Sequence, residues 1–116
     1  MADLALQAAS GGVVAVPVDR SLAFEQIAAR HGGRVVRTKV DPHSLMKACG
    51  QTGIVMAGDG TGNFIFPGFQ PVMDGLMATA KLLEFLATQQ TCLSEVVAGL
   101  PSFFISSGQV ACPWEA

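Results

Sequence analysis

The residues best suited to chemistry lie in one stretch, Ile54 to Gly75, IVMAGDGTGNFIFPGFQPVMDG. Within it Gly58-Asp59-Gly60-Thr61-Gly62 alternates glycine with a carboxylate and a hydroxyl. Two chemistries are open to such a loop. Glycines can let backbone N–H groups approach a phosphate, which then rests on a helix N-terminus. That use needs a helix next, and an apolar strand pattern follows instead. There is also no G-K-S/T, and the spacing is not G-x-G-x-x-G. The better reading is a hairpin loop whose glycines supply positive φ. From its tip Asp59 and Thr61 can reach a polyhydroxyl ligand. The Asp would accept from two adjacent hydroxyls, and the Thr would donate or accept.

Few other residues compete. His43 stands two residues past an Asp41 helix cap, where the helix dipole disfavours the imidazolium and a neutral hydrogen-bonding ring is expected. Composition alone favours an exposed first-turn residue there. His31, on the inner stripe of a helix, reads as a satisfied structural histidine. Arg37 and Lys39 alternate on a strand and are expected to face solvent or a neighbouring domain. Cys49, Cys92 and Cys112 are odd in number, far apart and without C-x-x-C. They read as reduced thiols of a cytoplasmic protein. No serine or cysteine has a companion histidine and no carboxylate pair has a defensible spacing, so no catalytic set emerges. Two histidines make a structural zinc site improbable.

The elements that must carry the loop follow from periodicity. Asp3 to Ala9 reads as the end of a helix, with Asp3 as its cap and Ser10-Gly11-Gly12 as its stop. Val13 to Val18 is a β-branched run that suits a strand buried on both faces, with Pro17 near its end. Ser21 to His31 places Phe24, Ile27, Ala28 and His31 on one helical face. Arg34 to Val40 is a second strand, so the unit is strand, helix, parallel strand. Asp41-Pro42 opens a helix running to Cys49. Ile54 to Ala57 is a third strand. Asn63 to Phe66 is a fourth, too close for a parallel crossover and therefore its antiparallel partner.

Asp74 to Gln89 is the longest helix. Leu76, Ala80, Leu83 and Ala87 form one stripe, which Leu82 and Leu86 widen, so most of that helix is expected to be buried. Thr91 caps a last helix to Ala98, and Phe103-Phe104-Ile105 could form a further strand. The sum is a single-domain, three-layer α/β/α sandwich with a four-stranded mixed sheet, order 2-1-3-4, strand 4 antiparallel.

The totals set bounds on partners. The chain has 116 residues, 14% of them charged, and a net charge of -2. Neither a nucleic-acid footprint nor a polybasic membrane patch is expected. Apolar runs are short and broken by Gly, Pro or charge, which argues against a transmembrane helix, and the N-terminus lacks a signal-peptide pattern. With 50% hydrophobic residues and a mean hydropathy of +0.44, some apolar surface is expected to be covered by a partner or by further chain.

The run GIVMAGDGTGNFIFPGFQPVMDGLMATAKLLEFLA, preceded by RTKV and HSLMK, resembles the third domain of the α-D-phosphohexomutases, the phosphomannomutase and phosphoglucomutase superfamily. The resemblance covers about Leu4 to Pro113. The tail QVACPWE (within 106–116) looks like the lead into a fourth domain, particularly that of proteins fusing a sugar-1-phosphate nucleotidyltransferase to a mutase-like region. Family members place a G-E-x-S-G-H loop over the sugar, where its Glu and Ser contact hydroxyls. Those positions match Gly58, Asp59, Gly60, Thr61, Gly62 and Asn63, with Asp for Glu, Thr for Ser and Asn for His. His43 matches a histidine that some members use near the substrate.

The resemblance implies a domain that binds hexose phosphate weakly, beside other domains of a parent chain. Those other domains would supply a phosphoserine loop, a Mg2+ loop and a phosphate-binding loop, none of which is here; no cofactor is expected in this domain. The fragment alone would then be inactive, since phosphoryl transfer needs the donor and the metal. The alternative is a non-catalytic binding or regulatory module of a sugar-1-phosphate nucleotidyltransferase.

Overall fold

A computed structural model describes residues 1–114. Residues 115 and 116, the end of the expected tail, lie outside them. The elements in chain order are α1 (Ala2–Ala8), β1 (Val13–Pro17), α2 (Ala23–Arg30), β2 (Arg34–Thr38), α3 (Pro42–Ala48), β3 (Ile54–Gly58), β4 (Phe64–Ile65), α4 (Gly75–Thr88) and α5 (Leu93–Ala98). The sheet order is β2-β1-β3-β4. β1 runs parallel to both β2 and β3, and β4 pairs antiparallel with β3 through Ala57↔Ile65 and Gly58↔Phe64.

Alternation along the strands, interrupted in β3 by a register irregularity between Ile54 and Met56, builds two cores. Val14, Val16 and Met56 point to one face, where they meet Leu4, Leu6, Ile27, Ala28, Ala78 and Phe85 of α1, α2 and α4. Val13, Ala15, Ile54 and Ala57 point to the other, against Leu45 and Ala48 of α3 and Cys49 at its C-terminal end. Every residue of β1 is buried, as expected of a central parallel strand covered on both sides. Burial raises the Cys49 thiol pKa, which makes it an inert core residue.

Several local expectations are corrected. Asp3 does not cap α1. Met1 holds that position, and Asp3 instead receives His31 Nε2 at 2.9 Å, joining α1 to the end of α2. Cys92, not Thr91, is the N-cap of α5, and Glu95 Oε2 accepts from both the Cys92 N–H (3.1 Å) and the Thr91 hydroxyl (2.8 Å). Residues 101–114 contain no strand, so Phe103-Phe104-Ile105 runs irregularly with exposed side chains.

The largest correction concerns α4. Leu76 is 87% exposed and Leu83 62%, and Ala80 and Ala87 are exposed with them. The buried residues are Ala78 and Phe85, with Met77, Leu82 and Leu86 partly covered. The inner stripe is thus displaced by two residues, about 200° around the helix at 3.6 residues per turn.

Candidate functional site

In a sheet ordered β2-β1-β3, the connections from β1 and β3 leave in opposite directions. The crevice beyond their carboxyl ends is where open α/β sheets bind ligands. Here three loops meet at that edge. Residues 18–22 follow β1, residues 39–41 follow β2, and residues 59–63 follow β3. They enclose a cavity of about 180 Å3 lined by Pro17, Arg20, Val40, Asp41, Pro42, Leu45, Asp59, Thr61 and Met73. Small-molecule sites usually enclose about 300–1,000 Å3, so this hollow has the size of one wall of a site.

The 59–63 loop is held by its own carboxylate. Asp59 Oδ1 accepts from the N–H of Thr61 (2.8 Å) and of Asn63 (3.2 Å). Asp59 Oδ2 accepts from Asn63 Nδ2 at 2.7 Å, and the same amide nitrogen donates to Thr61 Oγ1 at 3.3 Å. The backbone closes the turn with Asp59 N–H to the Asn63 carbonyl, 3.3 Å. Partial burial raises the Asp59 pKa, but the bonds from the Asn63 side chain and the Thr61 and Asn63 backbone outweigh it and hold the carboxyl at about 2. A carboxylate has about four acceptor positions. Asp59 therefore works first as a brace, and Oδ2 keeps acceptor capacity for a ligand.

Gly60 and Gly62 have φ of +77° and +102°, as the hairpin reading requires. Gly60 is also close to a neighbour, since a Cβ there would come within 2.7 Å of Arg20 Cδ. The Arg20 side chain thus packs against the loop tip and ties the end of β1 to the end of β3.

Not every sequence candidate reaches the cavity. Asp59 and Thr61 line it. Gly58 is buried as the last residue of β3, and Asn63 is exposed while bonded within the loop. His43 is exposed on α3 and is not among the lining residues. Asp41 is both cap and wall. Its Oδ1 accepts from the Ser44 N–H at 2.7 Å, and Ser44, through its side chain first and its backbone second, lowers the Asp41 pKa. Arg20 and the wall function of Asp41 escaped sequence reasoning. Arg20 sits in a loop without a recognisable motif, and Asp41 was fully accounted for as a cap.

Arg37 corrects another expectation, because its guanidinium does not face free solvent. Nη1 donates to the carbonyls of Pro17 (3.1 Å) and Arg20 (2.9 Å), and Nη2 to that of Ser21 (3.0 Å). Nε and Nη2 also reach Glu25 at 2.9 and 2.6 Å. The hydrogen bond from Arg37 is the main reason the Glu25 pKa falls. From the neighbouring strand, Arg37 fixes the loop that presents Arg20.

A larger hollow of about 520 Å3 lies between α1 and α4, with Val55, Phe66, Phe69 and Met77 in its walls. Its charged groups, Lys81 and Glu84, pair with each other at 2.8 Å.

A sequence profile of the family described as "Phosphoglucomutase/phosphomannomutase, alpha/beta/alpha domain III" matches residues 1–104. The chain belongs to this family. Among similar proteins, the probable phosphoglucosamine mutase of Methanopyrus kandleri is 35% identical over 104 residues, 90% of this chain and 23% of that protein. The phosphoglucomutase/phosphomannomutase of Thermococcus kodakarensis is 33% identical over 104 residues, again 90% and 23%. A probable phosphoglucosamine mutase of Methanosarcina barkeri is 33% identical over 101 residues, 87% of this chain and 22% of that protein. The chain therefore spans about a quarter of the length of the relatives it matches, and the matched part is domain III. These relatives lend no support to the nucleotidyltransferase reading. Among the described residues no helix is long and apolar enough to cross a membrane.

Proposed function

We propose that this domain III is the sugar-contacting part of a phosphohexomutase-type enzyme that interconverts hexose 1- and 6-phosphates. In this reading the 59–63 loop presents Asp59 Oδ2 and Thr61 Oγ1 to sugar hydroxyls, with Asn63 holding both and Gly58, Gly60 and Gly62 permitting the turn. His43, exposed on the adjacent helix, would approach the ligand from outside the cavity. The observation that supports the reading is the convergence of the loops after β1, β2 and β3 on one hollow, mostly apolar but with Arg20, Asp41, Asp59 and Thr61 in its wall, at the edge where the fold favours ligands.

Phosphoryl transfer needs a donor group and charge stabilisation, which this chain would receive from other domains of its parent. Among the described residues no three His, Cys, Asp or Glu side chains converge on one point. The residues present do not form a magnesium cage, and the Mg2+ implied for the parent would be held elsewhere in it. The domain alone would be inactive, bind hexose phosphates on the millimolar scale, about 4 kcal/mol, and reside in the cytoplasm, where its free cysteines stay reduced.

The test is replacement of domain III in the Thermococcus kodakarensis relative by residues 1–104 of this chain. Mutase activity in a folded chimera, lost again in its Asp59→Ala/Thr61→Ala version, is expected. A folded chimera whose activity is unaffected by that double substitution would overturn the role of the loop.

A further inference from the structure

We propose that Arg20 is a ligand-binding residue of this cavity, donating to oxygens of the sugar ring and its hydroxyls rather than to the phosphate. The inference rests on the sugar-binding reading above and extends it to a residue outside the glycine loop. Arg20 follows β1 and lines the cavity together with Asp59 and Thr61. Its position is fixed from two sides, by the Arg37 bond to its carbonyl and by packing against Gly60. Its side chain is 27% exposed. Among the described residues its one side-chain partner is Asp19, at 3.0 Å from Nη2, and Nε is buried with no partner.

A guanidinium offers five N–H donors, so most of them remain open here. Nε is closed off from solvent, so the donors open to a ligand are those of Nη1 and the Nη2 hydrogen not taken by Asp19. The choice of a neutral, hydroxyl-rich moiety follows from the charges in the wall. Asp41 and Asp59 line the same hollow, and Asp19 already neutralises part of the Arg20 charge. A phosphate dianion placed there would meet two carboxylates. A hydroxyl, in contrast, can accept from Arg20 and donate to Asp59 Oδ2 or Asp41 in the same pose, which uses both signs of the wall.

The experiment is an amide-shift titration of the full 116-residue chain and of Arg20→Met and Arg20→Lys. The probes are mannose, mannose 1-phosphate and inorganic phosphate. Thermal denaturation checks that each variant is folded. Mannose and mannose 1-phosphate should shift Arg20 and Thr61, inorganic phosphate should not, and Arg20→Met should weaken the sugar about tenfold, with Arg20→Lys in between. Sugar shifts at Thr61 that are unchanged in folded Arg20→Met would overturn the inference while leaving the loop as a sugar site. Inorganic phosphate binding at Arg20 would overturn the choice of a neutral moiety. Silence of the 59–63 loop toward both sugars would remove the sugar reading itself. If Arg20→Met unfolds the chain, folded Arg20→Lys decides, because it keeps the charge and removes most of the donors; unchanged sugar affinity in that variant would count against the inference.

Discussion

Replacing Asp59 by Asn should lower stability in a pH-dependent way, because the carboxylate holds the loop by accepting three hydrogen bonds. The fall of its pKa from 3.8 to about 2 corresponds to roughly 2.5 kcal/mol between charged and neutral forms. Water reaches this loop, and screening reduces the expected share to about 1 kcal/mol. The folded-state pKa is the lower one, so the contribution is fully present above the unfolded value near 4. It fades as pH falls from about 4 through about 2. Urea denaturation of wild type and Asp59→Asn at pH 7, 5, 3 and 2 reads this directly. The gap should be about 1 kcal/mol at pH 7 and 5, close to zero at pH 2, and accompanied at pH 7 by a fall of about 4 °C in Tm. An equal gap at every pH, or none at pH 7, would refute the brace.

Arg37→Lys should cost about 1–3 kcal/mol in urea unfolding, because one ammonium cannot serve three carbonyls and a carboxylate together; a variant as stable as wild type contradicts the role given to Arg37. Gly60→Ala should lower stability in urea unfolding through both its +77° φ and the Arg20 contact, by about 1 kcal/mol, whereas Gly68→Ala, with open space around it, should not. On α4, Phe85→Ala should cost about 3–5 kcal/mol and Leu83→Gln less than about 0.5 kcal/mol; the reverse order would restore the stripe read from the sequence.

Much of the fold was legible because its signals are local. The β-branched run of β1, the Asp41-Pro42 start and the short link between β3 and β4 mark the elements and the antiparallel edge, and the order 2-1-3-4 follows once β3 pairs with β1. The inner face of α4 was not legible. That helix is apolar on nearly every side, so Leu76-Ala80-Leu83-Ala87 and Ala78-Leu82-Phe85 are equally good stripes, and only packing on α1 and β4 chooses between them. The candidate site was legible in the turn geometry of its glycines and opaque elsewhere. Alternation of Asp59 and Thr61 suggested two side chains free to bind, whereas Asp59 spends most of its acceptors on the loop. Arg20 carries no local pattern, and its place depends on Arg37, 17 residues away. The capping signal of Asp41 concealed its second position in the cavity wall.

The most direct measurement is an amide-shift map of this chain under titration with mannose 1-phosphate. The account predicts millimolar, saturable shifts centred on residues 58–63 with Arg20 and Asp41 beside them, at the ends of β1, β2 and β3. Saturable shifts confined to the hollow between α1 and α4, with residues 58–63 silent, would contradict it.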